Sequence, residues 1–239
     1  MKNTVCVITA RAGSKGVPKK NIKRLAGVPL IHYTIKAARE IFADEGILVS
    51  TDSEEIRHVV EETGLRVPFL RPAALALDTT GSHEVLVHCL EELEQLGRKY
   101  DVLVLLQPTS PFRTAEHVKG ALELFDENVD MVASVKQIED SPYFNMFREG
   151  RSGWLELLLP REGMRRQDCP AVYTYNGAIY VIRVSELKKR ALHSIRRVRK
   201  YLMGDEESIQ IDTPFDWTLA EALIQRRQME SMGGGETGS

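Results

Sequence analysis

The sequence has few cysteines and no long apolar run, and both absences narrow the class of protein. Three cysteines stand among the 239 residues, Cys6, Cys89 and Cys169, without C-x-x-C spacing. They predict reduced thiols in a cytosolic protein, with neither a disulfide framework nor a zinc site. No apolar run approaches the ~20 residues of a membrane-spanning helix, and no signal peptide precedes the first apolar run. We therefore expect a cytoplasmic protein that is neither exported nor inserted in a membrane.

An excess of charge of one sign is also missing. Charged residues make up 28% of the chain, yet the formal net charge is only −2. This balance gives no general attraction to nucleic acid or to a membrane surface, so any anion site must be local. The sequence has no internal repeat, and its length suits one α/β domain with a full core.

The first apolar run, at residues 5–9, leads into a loop of glycine, serine and cations. The run predicts a buried β-strand. Gly13 and Gly16 allow sharp turns that expose backbone N–H groups. Four cations accompany them: Arg11, Lys15, Lys19 and Lys20. Such a loop is suited to bind a polyphosphate, although the same residues are common in solvated loops, and neither Walker A nor G-x-G-x-x-G is present.

Apolar runs and helical periodicity alternate over the first ~135 residues. Strands are predicted at residues 5–9, 47–50, 67–70, 102–106 and 131–135. Helix starts are predicted at Pro29, Ser53, Ser82 and Thr114. The alternation predicts an α/β fold with a doubly wound, mostly parallel sheet. Ligands bind beyond the carboxyl ends of such strands, so the first loop and residues 51–52 and 107–110 should meet at one edge.

This rhythm breaks between residues 139 and 172, a stretch that we call the excursion. It is rich in proline, arginine and apolar side chains, including Tyr143, Phe144, Phe147, Trp154 and the leucines at 157–159. A long surface loop is one interpretation, and contact with a second subunit in a homodimer is the other. Further strands are predicted at 176–182 and 208–212, and Thr213 with Pro214 predicts a helix start. We expect one domain over residues 1–230 and a flexible tail at 231–239.

Four blocks of sequence resemble the acylneuraminate cytidylyltransferases, the CMP-sialic acid synthetases. They are RAGSKGVPKKN at 11–21, QPTSPFRT at 107–114, NGAIY at 176–180 and the pair at 211–212, in the family's order across about residues 4–225. The resemblance implies a Rossmann-like nucleotidyltransferase fold and the reaction of CTP with an N-acylneuraminate to give CMP-N-acylneuraminate and diphosphate. It also implies that the excursion forms the dimer and reaches the neighbour's active site.

The resemblance further implies roles for individual residues. Catalytic cations that neutralise the phosphates would be Arg11, Lys15 and Lys20. The nucleotide-binding residues would be Ala10, Arg11, Gly13, Ser14, Lys15, Lys20, Asn21, Arg71 and Ser82. The sugar-binding residues would be Gln107, Arg166, Asn176 and Tyr180. Arg166 would hold the sugar carboxylate in a bidentate pair, whereas core packing is an equal alternative for Tyr180.

A magnesium ion is the cofactor that this chemistry requires. Asp212 is the candidate ligand, and a polar residue beside a helix cap is the alternative for it. The family often carries Asp-x-Asp here, but Gln210 stands at the first position. One carboxylate together with phosphates and waters is sufficient for Mg²⁺.

Other acceptors and one other class of protein stay open at this stage. The acceptor could be a legionaminate, a pseudaminate or, less in keeping with the QPTSP block, 3-deoxy-octulosonate. The other class is a nucleotide-sugar-dependent glycosyltransferase or a non-catalytic relative. Such a glycosyltransferase normally carries Asp-x-Asp at a strand end, which is missing here. No nucleic-acid or membrane partner is expected.

Overall fold

A six-stranded sheet lies at the centre of the structure, a computed structural model that describes residues 3–159 and 165–233. The strand order is β10-β6-β9-β5-β1-β4. The bounds are β1 Thr4–Thr9, β4 Ile47–Ser50, β5 Val102–Leu106, β6 Met131–Ile138, β9 Val172–Arg183 and β10 Val198–Leu202. Neighbouring strands are parallel, except that β9 runs antiparallel to both β5 and β6. The fully buried β5 lies near the middle of the sheet, as its apolar sequence predicts.

Helices cover both faces of this sheet. They are α1 Leu30–Arg39, α2 Glu54–Glu61, α3 Ser82–Gln95, α4 Ala115–Glu123, α5 Val184–Leu187 and α6 Pro214–Gly233. One apolar core packs α1, α2 and α4 against the sheet, and a second packs α3 and α5 against the other face. The predicted α/β, doubly wound, mostly parallel fold is therefore confirmed.

Side-chain caps fix three helix starts near the carboxyl edge of the sheet. Ser53 Oγ accepts from the amide of Ile56 at 3.3 Å. Thr114 opens α4 in a capping box with His117. At α6, a carboxylate oxygen of Asp216 accepts from the Thr213 amide at 2.7 Å. Each cap satisfies N–H groups that lack a partner within the helix.

Two predicted strands are wrong, and one strand of the six-stranded sheet was missed. Residues 67–70 form no strand: Pro68 has no backbone N–H to donate, and the N–H of Val67 donates to the carboxylate of Glu61 instead. Residues 208–212 do not join the sheet: Ser208 ends a turn in which its amide donates to the carbonyl of Gly204. The missed strand is β10, a charged edge strand beside β6. Charged side chains on an edge strand oppose pairing with a further strand. They also interrupt the apolar pattern by which a strand is recognised in the sequence.

Short elements complete the described chain. Two small ribbons pair β2 Arg24–Leu25 with β3 Val28–Pro29, and β7 Phe147–Glu149 with β8 Leu155–Leu157. Four 3₁₀ turns lie at Asp44–Gly46, Ala73–Leu75, Arg166–Asp168 and Leu192–Ser194. Helix α6 continues to Gly233, three residues into the predicted tail, and 234–239 lie outside the described residues. Within the described ranges, no helix is both long and apolar enough to cross a membrane.

Candidate active site

A cleft of about 480 Å³ opens at the carboxyl edge of the sheet. Residues after β1 and β5 form two of its walls, and residues 71–85 and 210–212 form the others. The predicted site residues that line it are Arg11, Gly13, Ser14, Lys15, Lys20, Asn21, Arg71, Ser82, Gln107 and Asp212. Its volume is in the range of small-molecule sites. The first loop and residues 107–109 therefore line one cleft as expected, whereas residues 51–52 do not line it and contact the loop through Asp52.

The first loop is fixed to the start of α6 by Lys20. Its ammonium donates to the Asp212 carboxylate at 2.8 Å and to the Ile211 carbonyl at 2.7 Å. A Cβ atom on Gly16 would lie only 1.8 Å from the carbonyl oxygen of Asp212. The two backbones are thus in direct contact, and glycine is what permits it.

A carboxylate that the sequence analysis did not assign holds the other two catalytic candidates. Asp78 pairs with Arg11 Nη2 and with Lys15 Nζ, both at 2.7 Å. Hydrogen bonds from Lys15 and Arg11 keep the pKa of the Asp78 carboxyl below its usual value. The cations of the loop are therefore placed so that two of them bind one anionic group. The signal in the sequence was weak: Asp78 is one acid in an aperiodic stretch.

Arg71 and the residues after β4 support the loop from behind. Arg71 is only 6% exposed, and its Nη2 donates to the Ser50 carbonyl at 3.0 Å. Burial lowers the pKa of this guanidinium. Asp52 accepts from the amide of Ala12 at 2.9 Å. Ala10 is fully buried and its amide donates to Ser50, so it shapes the loop without lining the cleft.

The predicted sugar-binding residues differ in how they face the cleft. Gln107 lines the cleft, whereas Asn176 and Tyr180 are not among its lining residues. Asn176 is 3% exposed, and its amide is bonded to the hydroxyls of Ser134 and Ser208. Tyr180 packs with the second core, and burial raises the pKa of its hydroxyl to about 12. Core packing was the alternative interpretation of Tyr180, and the side chain does pack against the core. The side chain of Arg166 lies outside what the structure describes.

Asp212 is the one candidate metal ligand that the sequence analysis named. Its side chain is 59% exposed, and one carboxylate oxygen is bonded to Lys20. Asp216 is instead bound to the cap of α6. Across residues 3–159 and 165–233, no group of three or more His, Cys, Asp or Glu side chains could hold a metal ion. The donor set therefore suits only an ion whose remaining ligands are phosphates and waters, which is how Mg²⁺ commonly binds.

The fold and the charges of the cleft together indicate a class of protein. Four cations, Arg11, Lys15, Lys20 and Arg71, and two acids line a cavity at the carboxyl edge of a mostly parallel sheet. This is the arrangement of an α/β protein that binds a polyanionic nucleotide.

Comparison with known proteins identifies the family. The model of the cytidylyltransferase family matches residues 5–146. CMP-N,N'-diacetyllegionaminic acid synthase of Legionella pneumophila is 37% identical, over 94% of this chain and 97% of that one. N-acylneuraminate cytidylyltransferase of Streptococcus agalactiae is 35% identical over 89% of this chain, which spans 51% of that relative. The chain belongs to the cytidylyltransferase family, so the resemblance seen in its motifs is confirmed.

Solved structures support the same fold. CMP:2-keto-3-deoxy-manno-octonic acid synthetase complexed with CTP superposes with a TM-score of 0.69 at 18% identity, over 94% of this chain and 99% of that one. The 4-diphosphocytidyl-2C-methyl-D-erythritol synthase of Anaerococcus prevotii superposes with a TM-score of 0.64 at 13% identity, over 94% of this chain and 99% of that one. At these identities, the likeness concerns the fold alone.

Proposed function

We propose that the protein transfers the cytidylyl group of CTP to a nonulosonic acid. The observation that carries the proposal is the convergence of Arg11, Lys15 and Lys20 at the cleft, in a chain 37% identical to a CMP-legionaminic acid synthase. The anomeric hydroxyl oxygen forms a bond to the α-phosphorus of CTP. The bond from that phosphorus to the bridging oxygen breaks, diphosphate leaves, and the hydroxyl proton is released.

The proposed role of the three cations is to neutralise the triphosphate and the departing diphosphate. Catalysis of this kind depends mainly on positioning and charge neutralisation. Arg11 and Lys15 exchange Asp78 for phosphate oxygens when CTP binds, since both are paired with that acid in the free protein. Gly13, Ser14 and Asn21 line the same wall and complete the phosphate and ribose contacts. Arg71 and Ser82 lie across the cleft, where we place the base.

Magnesium is part of the proposal. Asp212 would hold the ion together with phosphate oxygens, and the ion would add to the neutralisation of charge on the phosphates. Lys20 then shares Asp212 with the ion or shifts fully to its second partner, the Ile211 carbonyl.

We propose an N-acylneuraminate as the acceptor, with an N,N'-diacetyllegionaminate as the second candidate. The second is favoured by the Legionella pneumophila relative, which matches this chain over 97% of its own length. Arg166 and Gln107 stay proposed contacts of the sugar. Asn176 supports this region through its buried hydrogen bonds rather than by direct contact.

The test is diphosphate release from CTP and Mg²⁺ with a panel of acceptors. The panel contains N-acetylneuraminate, N,N'-diacetyllegionaminate, a pseudaminate and 3-deoxy-octulosonate. Release with an N-acylated nine-carbon acid supports the proposal, and the better substrate decides between the two candidates. Release with 3-deoxy-octulosonate alone, or with none of the four, contradicts it.

We also propose that the protein is a cytoplasmic homodimer. The excursion exposes large apolar side chains: Phe144, Phe147, Trp154, Leu155, Leu158 and Leu159. Exposure of several large apolar side chains in one segment is typical of an interaction surface. The three cysteines are free thiols, in keeping with a reducing compartment.

A further inference from the structure

Two glutamine side chains meet on the wall of the cleft. Gln210 Nε2 lies 3.5 Å from Gln107 Oε1, and both residues line the cavity. Gln210 is uncharged and stands two residues before Asp212. The contact leaves Gln107 Nε2 and Gln210 Oε1 as a donor and an acceptor without a further partner among the described residues.

The position of the pair depends on Gly177. This residue has a φ of +71°, at a point where the register between β6 and β9 shifts. A Cβ atom on Gly177 would lie 2.8 Å from Gln107 Oε1 and 2.8 Å from Gln210 Nε2. Glycine therefore supplies both the left-handed backbone and the room in which the two amides meet.

Buried hydrogen bonds fix the backbone on both sides of the pair. The side-chain Nδ2 of Asn176 donates to Ser208 Oγ at 2.9 Å, and this bond holds the segment that leads to Gln210. The Ile211 amide donates to the Thr109 carbonyl at 2.8 Å and joins that segment to the loop after Gln107. Arg113, only 3% exposed, donates to the carbonyls of Gln107 and Ala178, both at 3.1 Å. The two amides are thus presented from a rigid support.

The chemistry of the pair indicates what it binds. Two neutral amides add no electrostatic attraction for phosphate or metal, in a cleft where charged residues already supply it. A pair that keeps one free donor and one free acceptor suits a group that both accepts and donates, such as a hydroxyl or an N-acyl amide. Gln210 lies two residues from Asp212, so its Cα is at most ~7 Å from that of the proposed metal ligand. The acceptor must approach the α-phosphate in this same region.

We propose that Gln210 is a specificity-determining residue that, together with Gln107, binds a neutral polar group of the acceptor sugar. The inference rests on the proposed function. It assigns Gln210 to the acceptor rather than to the metal, which leaves Asp212 as the carboxylate for magnesium.

The experiment compares the wild type with Gln210→Ala, using the acceptor from the panel that turns over fastest. The expected result is a rise of about tenfold in the KM for the acceptor, as expected for loss of a hydrogen bond to the substrate. The KM for CTP and the Mg²⁺ concentration for half-maximal rate should change less than about twofold. The matched control is Gln225→Ala, a glutamine exposed on α6, which should leave all three values unchanged.

A double-mutant cycle tests whether the two amides act as one unit. We expect Gln107→Ala with Gln210→Ala to raise the acceptor KM by less than the product of the single effects, because each single change already breaks the pair. Fully multiplicative effects would contradict the pairing. An unchanged acceptor KM in Gln210→Ala, or a change confined to CTP or Mg²⁺, would overturn the inference while the proposed function stands. A wild type that releases no diphosphate with any acceptor would instead overturn the proposed function and the inference with it.

Discussion

At the scale of single residues, substitution of Lys20 distinguishes an effect on turnover from an effect on stability. Its side chain is 12% exposed, and its ammonium donates to both Asp212 and the Ile211 carbonyl. We expect Lys20→Ala to lower kcat at least about a hundredfold, because a charge aimed at the developing phosphate charge contributes several kcal/mol to catalysis. The free energy of unfolding in urea should fall by no more than about 1–2 kcal/mol.

The neighbouring Lys19→Ala is the control for Lys20. Lys19 pairs with Glu55 at 2.7 Å and is not among the residues that line the cleft. Its loss should leave kcat within about twofold, since an exposed ion pair contributes little. Equal turnover in the two variants would show that Lys20 does not act on the phosphates.

A second prediction at this scale concerns Asp78 and the binding of diphosphate. Because it occupies both Arg11 and Lys15 in the free protein, Asp78→Asn should tighten the binding of inorganic diphosphate by about three- to tenfold. Titration calorimetry with diphosphate measures this directly. Asp44→Asn breaks an ion pair with Arg39 away from the cleft and should have no effect. Weaker binding in Asp78→Asn would show that the acid positions the cations instead of competing for them.

The sequence predicted the cations of the cleft but not their partners. Arg11, Lys15 and Lys20 stand in one recognisable loop, so local pattern was enough to find them. The pairs with Asp78 and Asp212 join residues more than 60 positions apart, and no local pattern encodes them. The surroundings of Asn176 were equally hidden from the sequence, because its side-chain amide is bonded to Ser134 and Ser208, which lie 42 and 32 positions away.

At the scale of elements, the contact between the first loop and α6 depends on one glycine. Gly16 lies against the Asp212 carbonyl, whereas a Cβ atom on Gly13 would meet nothing within 4 Å. We expect Gly16→Ala to lower the stability by about 1–3 kcal/mol through overpacking, and Gly13→Ala to leave it unchanged. Thermal unfolding of both variants provides the measurement. Equal melting temperatures would contradict the close approach of the two segments.

The sequence predicted helices and strands well where a cap or a periodic side-chain pattern marks them. It predicted them poorly where backbone pairing with a distant strand determines whether a strand forms. The caps at Ser53, Thr114 and Thr213 are local, and the helices begin where expected. The stretches at 67–70 and 208–212 have apolar residues typical of strands but find no neighbouring strand to join. Strand β10 is the reverse case, because its backbone pairs with β6 although its side chains are charged.

At the scale of the whole molecule, the excursion predicts a dimer. Leu159, Phe144 and Phe147 are each about half exposed, and a two-fold interface would bury such side chains on both protomers. We expect the wild type to be a dimer by light scattering at micromolar concentration. Leu157→Asp with Leu159→Asp should give a monomer with reduced turnover. Leu96→Asp, at an exposed leucine after α3, should stay dimeric.

A wild type that is monomeric at that concentration would refute the dimer. A fully active monomeric double variant would refute only the link between the dimer and activity.

The alternating pattern predicted the doubly wound sheet, but not the antiparallel β9 at its centre. That strand returns after the excursion, so its direction depends on a long connection rather than on a local repeat.

The most direct test of the account follows the phosphorus atoms of CTP. The protein is incubated with Mg²⁺, the acceptor and CTP that carries the label either at the α-phosphate or at the β- and γ-phosphates, and the products are separated by anion exchange. We expect the α label to appear in a CMP-sugar and the β,γ label in diphosphate, in equal amounts. Label recovered only in unchanged CTP, or sugar transfer that requires a preformed nucleotide sugar, would contradict it.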